Sequence, residues 1–244
     1  MSIEKAISSF PLNLDTIRNG VLFLTFDDHD VEGWTKAIPF FRQNHVRATF
    51  SFSGVIGMEA IVCMKALQAD GHTIGLHTIH HADAPEYIEK HGGAAYLSNE
   101  VEPQLEVCHK EGIACSTFAF PNNRRNDEAL ALLSCHFCRF RAGCGCPKGT
   151  AVANFDAAFT PVSKLQGQRL FGGFGVGEYY GSRLDYLLGV LERIAKNNEA
   201  VTIFSHGIAP GAKGVNMPIE LLEPIVIQAQ RLGIIMAGLE DVPN

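Results

Sequence analysis

No window of this sequence approaches the ~18 consecutive apolar residues that a membrane-crossing helix needs, so membrane insertion is not expected. Lys/Arg-rich runs are also missing, and the formal charge of −6 argues against nucleic acid or an anionic membrane surface as the main partner. The N-terminal stretch has neither a basic segment nor an uninterrupted apolar one, which speaks against a secretory leader in the sequence as given. Seven cysteines are an odd number, and their spacing lacks the regularity of a small disulfide scaffold, so free thiols and a reducing compartment are expected. Cytoplasm is the expected location, or the exterior if a leader has been lost. No internal repeat is visible. With 46% apolar and 19% charged residues, no long stretch has the composition of a disordered segment.

What is present is a repeating unit. A length of 244 residues suits one α/β domain spanning residues 1–244 better than two ordinary domains. Apolar runs rich in β-branched and aromatic residues recur at Val21–Phe26, Ala48–Phe52, Thr73–Leu76, Ser116–Phe120, Phe137–Phe140, Val201–Phe204 and Ile234–Ala237. Helical spacing lies between them: Trp34, Ile38 and Phe41 recur at i, i+4 and i+7, a second helical stretch spans Ile61 to Gln68, and Leu184, Leu187, Leu188 and Leu191 mark a third that ends near Asn197. Strand followed by helix implies a parallel sheet, and near-continuous apolar strands imply that both of its faces are covered. The expected fold is a distorted TIM-like (β/α)7 barrel. From Gly143 to Ser182 the chain is rich in glycine and aromatic residues, and this region is expected to form long loops over the barrel mouth.

Polar clusters sit where strands end. The run Val21–Phe26 ends in Asp27-Asp28-His29-Asp30, at the end of a barrel strand that carries active sites in such folds. A solvated turn is the competing reading for an Asp pair. The third run ends in His77-Thr78-Ile79-His80-His81, where a helical turn would bring His77 and His81 onto one face at a spacing that suits a single metal ion. Adding one carboxylate from the first strand gives a two-His-one-Asp set with positions left open for water and substrate. A further histidine, His206, closes the run Val-Thr-Ile-Phe-Ser. Cys135, Cys138, Cys144 and Cys146 offer a competing four-thiol zinc site, although Cys135 and Cys138 fall in an apolar passage where Cys acts as a small hydrophobe.

These residues resemble the motifs of the NodB-like polysaccharide deacetylases, carbohydrate esterases of family four that remove N- or O-acetyl groups. Thr25-Phe26-Asp27-Asp28 is similar to the first motif, in which the first Asp is the base and the second binds metal. His77-Thr78-x-x-His81 is similar to the second, H-(S/T)-x-x-H, whose histidines complete the metal site. Ala37–Phe50 resembles the connecting segment, and Ile203-x-x-His206 resembles the last motif. The resemblance implies a divalent cation held by Asp28, His77 and His81, zinc first, with cobalt, nickel or manganese able to satisfy the same set. It further implies Asp27 as base, His206 as acid, and a small or oligomeric acetylated sugar as substrate. Rival expectations are an amidohydrolase acting on a linear or cyclic non-sugar amide, and an inactive carbohydrate-binding barrel.

The third motif departs from the family. Where R-P-P-Y is usual, Phe118-Ala119-Phe120-Pro121-Asn122 keeps the proline but has Ala in the Arg place and Asn in the Tyr place. Pro121 and Asn122 are expected to form the oxyanion-binding turn, because the family's donor is a backbone N–H that Asn can supply. The base still needs a cation to fix its rotamer and keep it ionised. Arg139 and Arg141 share a face of the next strand, and Arg141, at its end, is the expected replacement; Arg124 and Arg125 are the alternatives. The fourth motif's Asp-Trp is not visible near Cys144-Gly-Cys146.

Overall fold

The computed structural model describes residues 11–147 and 150–244. Seven parallel strands close into a ring: β1 (Val21–Asp28), β2 (Thr49–Phe52), β3 (Thr73–Leu76), β4 (Cys115–Ala119), β5 (Arg139–Gly143), β6 (Leu170–Gly175) and β7 (Glu199–Ser205). Closure comes from β7 returning to β1, with Val21 opposite Ala200 and Phe26 opposite Ser205. The helices of seven residues or more among the described residues are α1 (Val31–Gln43), α2 (Met58–Ala69), α3 (Ala84–His91), α4 (Glu102–Glu111), α5 (Asp127–Leu133), α6 (Leu184–Asn197) and α7 (Ile219–Leu232).

Strand alternation decides where the polar groups go. Leu22, Leu24 and Phe26 of β1 belong to the larger apolar cluster, shared with Trp34, Phe41 and Phe50. Val21 and Phe23 belong to a smaller cluster with Phe171, Ala200, Leu239 and Val242, which plugs the end of the barrel where the strands begin. Thr25 and Asp27 continue the parity of Val21 and Phe23, so the inward row of β1 runs from apolar at the plug to charged at the mouth. Buried Thr49, Ser51, Thr73, Thr117 and Thr202 line the other strands in the same way. The barrel interior is therefore small and hydroxyl-rich, with room near the mouth for longer side chains.

Three expectations are corrected. Leu170–Gly175, inside the region read as loops, is a central strand hydrogen-bonded to both β5 and β7. Its sequence, LFGGFG, has no β-branched residue to signal a strand, and the glycines are there for a spatial reason. A Cβ on Gly173 would lie 3.2 Å from the Phe204 ring and 3.3 Å from Arg141 Cδ, and one on Gly175 would lie 2.5 Å from the Tyr180 ring. The missing side chains make room for Arg141, Phe204 and Tyr180. Second, the run read as the seventh strand, observed as β8 (Ile235–Ala237), pairs with β1 only at Val21–Phe23 and lies beside the ring. Third, the segment between His77 and His81 is not helical: Thr78 has φ 65° and His81 φ 53°, and these two left-handed residues fold the loop back on itself.

Candidate active site

Five of the seven non-glycine residues with positive φ among the described residues gather at the mouth: Asp28 (81°), Thr78 (65°), His81 (53°), Asn122 (55°) and Asn123 (59°). Each such conformation costs on the order of 1–3 kcal/mol and persists only where its surroundings enforce it, which is a common feature of functional sites. At Asp28 the turn breaks strand alternation, so Asp27 and Asp28 are not simply on opposite faces: Asp27 is buried and Asp28 has a side chain 43% exposed.

Asp28 Oδ1 lies 3.7 Å from His77 Nε2 and 3.9 Å from His81 Nε2, and one ligand atom from each of the three residues lies within 4.8 Å of the others. Ligands ~2.0–2.2 Å from a shared ion need little adjustment from that spacing. The His77 imidazole is held as a ligand would be. His77 Nδ1 donates to the Ala119 carbonyl at 2.8 Å, which leaves the lone pair on Nε2 facing Asp28. Burial holds the His77 pKa down to about 4, against the opposing pull of Asp27, so the ring is neutral as a ligand must be. The residues present fit a divalent cation.

Asp27 is placed differently. Its Oδ2 accepts a hydrogen bond from Arg141 Nη2, and Arg141 Nη1 donates to Asn123 Oδ1. The guanidinium also stacks over Phe204, 4.7 Å from the ring centroid. Burial would raise the Asp27 pKa, but Arg141 first, then His77 and His206, pull it below the ordinary carboxylate value. Asp27 Oδ1 is buried without a hydrogen-bond partner.

His206 approaches from β7. Its Nε2 is 3.7 Å from Asp28 Oδ2, while its Nδ1 donates to the Val215 carbonyl at 3.0 Å. The ring is thereby fixed with Nε2 toward the site. Trp34 Nε1, reaching over from α1, donates to the His206 carbonyl at 3.0 Å and anchors the backbone there.

Not every candidate joins this group. Pro121 is buried and Asn122 exposed in the turn that follows β4. Arg124 pairs with Asp83 at 3.1 Å and Arg125 with Asp127 at 3.5 Å, so neither is the partner of Asp27. His80 turns outward to Glu100, and His29 Nδ1 lies 2.9 Å from the Ser53 carbonyl. The four-thiol site is overturned: Cys135 and Cys138 precede β5 and Cys144 and Cys146 follow it, so a five-residue strand of roughly 16 Å separates the pairs. Sequence reasoning missed Asn123, Tyr180 and the two side chains that hold the histidine loop, Glu100 and Gln104. The only local signal was Asn-Asn after proline, a pair tolerant of left-handed backbone.

Solved structures share this architecture. A chitin deacetylase from Colletotrichum lindemuthianum aligns with TM-score 0.64 at 15% identity, over 93% of this chain and 88% of that one. A polysaccharide deacetylase from Bacillus cereus aligns with TM-score 0.56 at 17% identity, over 90% and 91%. A family 4 carbohydrate esterase from Streptomyces lividans, solved with acetate, aligns with TM-score 0.56 at 15% identity, over 89% and 91%. No curated protein matches the chain. The polysaccharide deacetylase family model matches residues 15–136, half of the sequence and the half that carries Asp27, Asp28, His77 and His81, and the chain belongs to that family.

Proposed function

We propose that this chain is a divalent-metal-dependent hydrolase that removes an acetyl group, N-linked in the first instance, from a small or oligomeric carbohydrate in the cytoplasm. The observation that carries the reading is the division of labour between adjacent aspartates. Asp28 faces two imidazole nitrogens, whereas Asp27 is buried with one oxygen on Arg141 and the other unpartnered. Asp28, His77 and His81 would hold the ion, zinc first by donor set. A cation bound there supplies Lewis acidity, polarising an acyl carbonyl and acidifying a water. Asp27, kept ionised by Arg141, takes a proton from the attacking water on its free oxygen. Arg141 fixes the Asp27 rotamer, and Asn123 holds Arg141. The Asn122 N–H, in a turn shaped by Pro121, stabilises the developing oxyanion. His206 delivers a proton from Nε2 to the departing nitrogen. A positioned acid or base is worth about 10²–10⁴-fold each.

Metal content by elemental analysis, followed by acetate release from N-acetylglucosamine oligomers beside a panel of linear and cyclic amides, tests the reading. Acetate from the sugars is the expected result. Turnover of amides alone would replace the substrate class, and a chain that retains no ion and turns over neither set would be a barrel without this chemistry.

A further inference from the structure

The loop carrying His77 and His81 has no regular secondary structure, yet its backbone is held by two buried polar side chains from one neighbouring helical turn. Glu100, 2% exposed, lies in a π-helical turn, Leu97–Val101, that runs directly into α4. Its carboxylate accepts from the His80 N–H at 2.9 Å and from His80 Nδ1 at 2.8 Å, and its carbonyl accepts from the Ile79 N–H at 3.1 Å. Four residues on, Gln104, also 2% exposed, donates through Nε2 to the carbonyls of Gly54 at 2.8 Å, Phe52 at 3.2 Å and Thr78 at 3.3 Å. The Gly54 N–H closes on the same Thr78 carbonyl at 3.0 Å. Thr78, Ile79 and His80, the residues between the two metal-facing histidines, are thus each tied to this helix.

A buried carboxylate is an expensive way to fill space, since an apolar side chain of similar volume would stabilise the packing at least as well. Its hydrogen bonds to the loop backbone point to a task of position. A wide π turn is also a feature frequently found at functional sites. We propose that Glu100 and Gln104 are positioning residues that pre-form the metal loop, holding Thr78 and His81 in their left-handed conformations so that both Nε2 atoms face Asp28 before any ion arrives. The inference rests on the metal-site reading above. The working contact of Glu100 is the backbone N–H of His80, because the His80 side chain is 74% exposed and its contact with the carboxylate is open to water.

The test titrates metal-free protein with Co²⁺ and Zn²⁺, following affinity and the visible absorption of the cobalt form, with circular dichroism as the control for folding. Glu100→Gln puts an amide N–H₂ where a second acceptor is required, and Gln104→Leu removes the three donations while keeping the volume. Each is expected to weaken metal binding about 10–100-fold, the range for groups that orient ligands, and to change the cobalt spectrum. Turnover should return toward the unmodified value once the ion is saturating. His80→Ala, which keeps the N–H, should weaken binding by less than about threefold. Glu106→Gln, on the exposed side of α4, should change nothing. If Glu100→Gln does not fold, Gln104→Leu decides. Affinities within about twofold of the unmodified chain in the folded variants, with an unchanged spectrum, overturn the clamp alone. An unmodified chain that binds neither ion overturns the metal-site reading, and the clamp falls with it.

Discussion

Two aspartate–arginine pairs stand at opposite ends of this barrel, Asp27 with Arg141 buried at the mouth and the buried Asp241 with the partly exposed Arg47 at the plugged end. The rear pair is fully used. Asp241 Oδ1 accepts from Arg47 Nη2 at 2.6 Å, and Oδ2 accepts from Arg47 Nε at 3.0 Å and from the Gly238 N–H at 2.7 Å. The front pair is half used, with Oδ2 of Asp27 taken and Oδ1 left over. Their acidities diverge too. Burial pushes Asp241 up to about 6 despite Arg47, whereas Asp27, with two imidazoles added to Arg141, ends below its ordinary value. Buried polar atoms in folded proteins are nearly always bonded, and the leftover carboxylate oxygen at the strand end is in keeping with the proposed role of Asp27 as base. Arg139 and Arg141 repeat the lesson within one strand. Arg139 donates to the Val242 carbonyl and Asn244 Oδ1 at the plugged end, while Arg141, two residues on, serves the mouth.

If the mouth is the working end, its substitutions should cost turnover and those at the plug should cost stability. The largest effect is expected from Asp28→Ala or His77→Ala, which should abolish both metal occupancy and turnover; full zinc content by elemental analysis in either variant would refute the ligand assignment. Next, Asp27→Asn should keep the metal and lose at least about 10²-fold in turnover. Arg141→Lys should also keep the metal, and because the largest influence lowering the Asp27 pKa is weakened, the acid limb of the pH–turnover profile should move to higher pH. A limb that stays in place would separate Arg141 from the base. His206→Ala should lower turnover with metal and substrate binding intact, and less so for substrates whose leaving group needs little protonation. Equal losses across leaving groups would remove it as the acid.

Much of this was legible before the fold was known, for a physical reason. A strand that begins apolar and ends in Asp or His announces itself locally, so the runs ending at Asp27, His77 and His206 could be read one at a time, and the parity of Arg139 and Arg141 follows from strand geometry alone. Other features depend on partners far away in sequence. Leu170–Gly175 reads as a loop until Arg141 and Phe204 are seen to occupy the space its glycines leave. Glu100 and Gln104 sit in SNEVEPQLEV, where nothing local distinguishes them from the other polar residues, and only the loop folded over them shows why both are buried. His77 and His81 do lie together, but through two left-handed residues rather than the helical turn that their spacing suggests, since backbone φ cannot be read from a histidine run.

The smallest effect sharpens the comparison most, because the two pairs should tilt stability in opposite directions with pH. Asp241 has a folded pKa of about 6 against an ordinary 3.8, so the native state holds that proton more tightly than the unfolded chain does. Its stabilising contribution is fully present below about pH 3.8 and is lost as pH rises through about 6. The front pair does the reverse: Asp27 is depressed on folding, so its contribution is present above the ordinary carboxylate pKa and is lost as pH falls through the folded value. A two-unit shift corresponds to at most about 3 kcal/mol, and about 2–4 °C per kcal/mol for a chain of this size makes the rear contribution several degrees of Tm. Asp241→Asn removes the rear titration. The Tm advantage of the unmodified chain over this variant should therefore grow as pH falls from about 6 to about 4, while turnover at neutral pH stays within about twofold. Tm curves that run parallel over that range would show that Asp241 does not titrate there, and a large loss of turnover would show that the plugged end is not independent of the mouth.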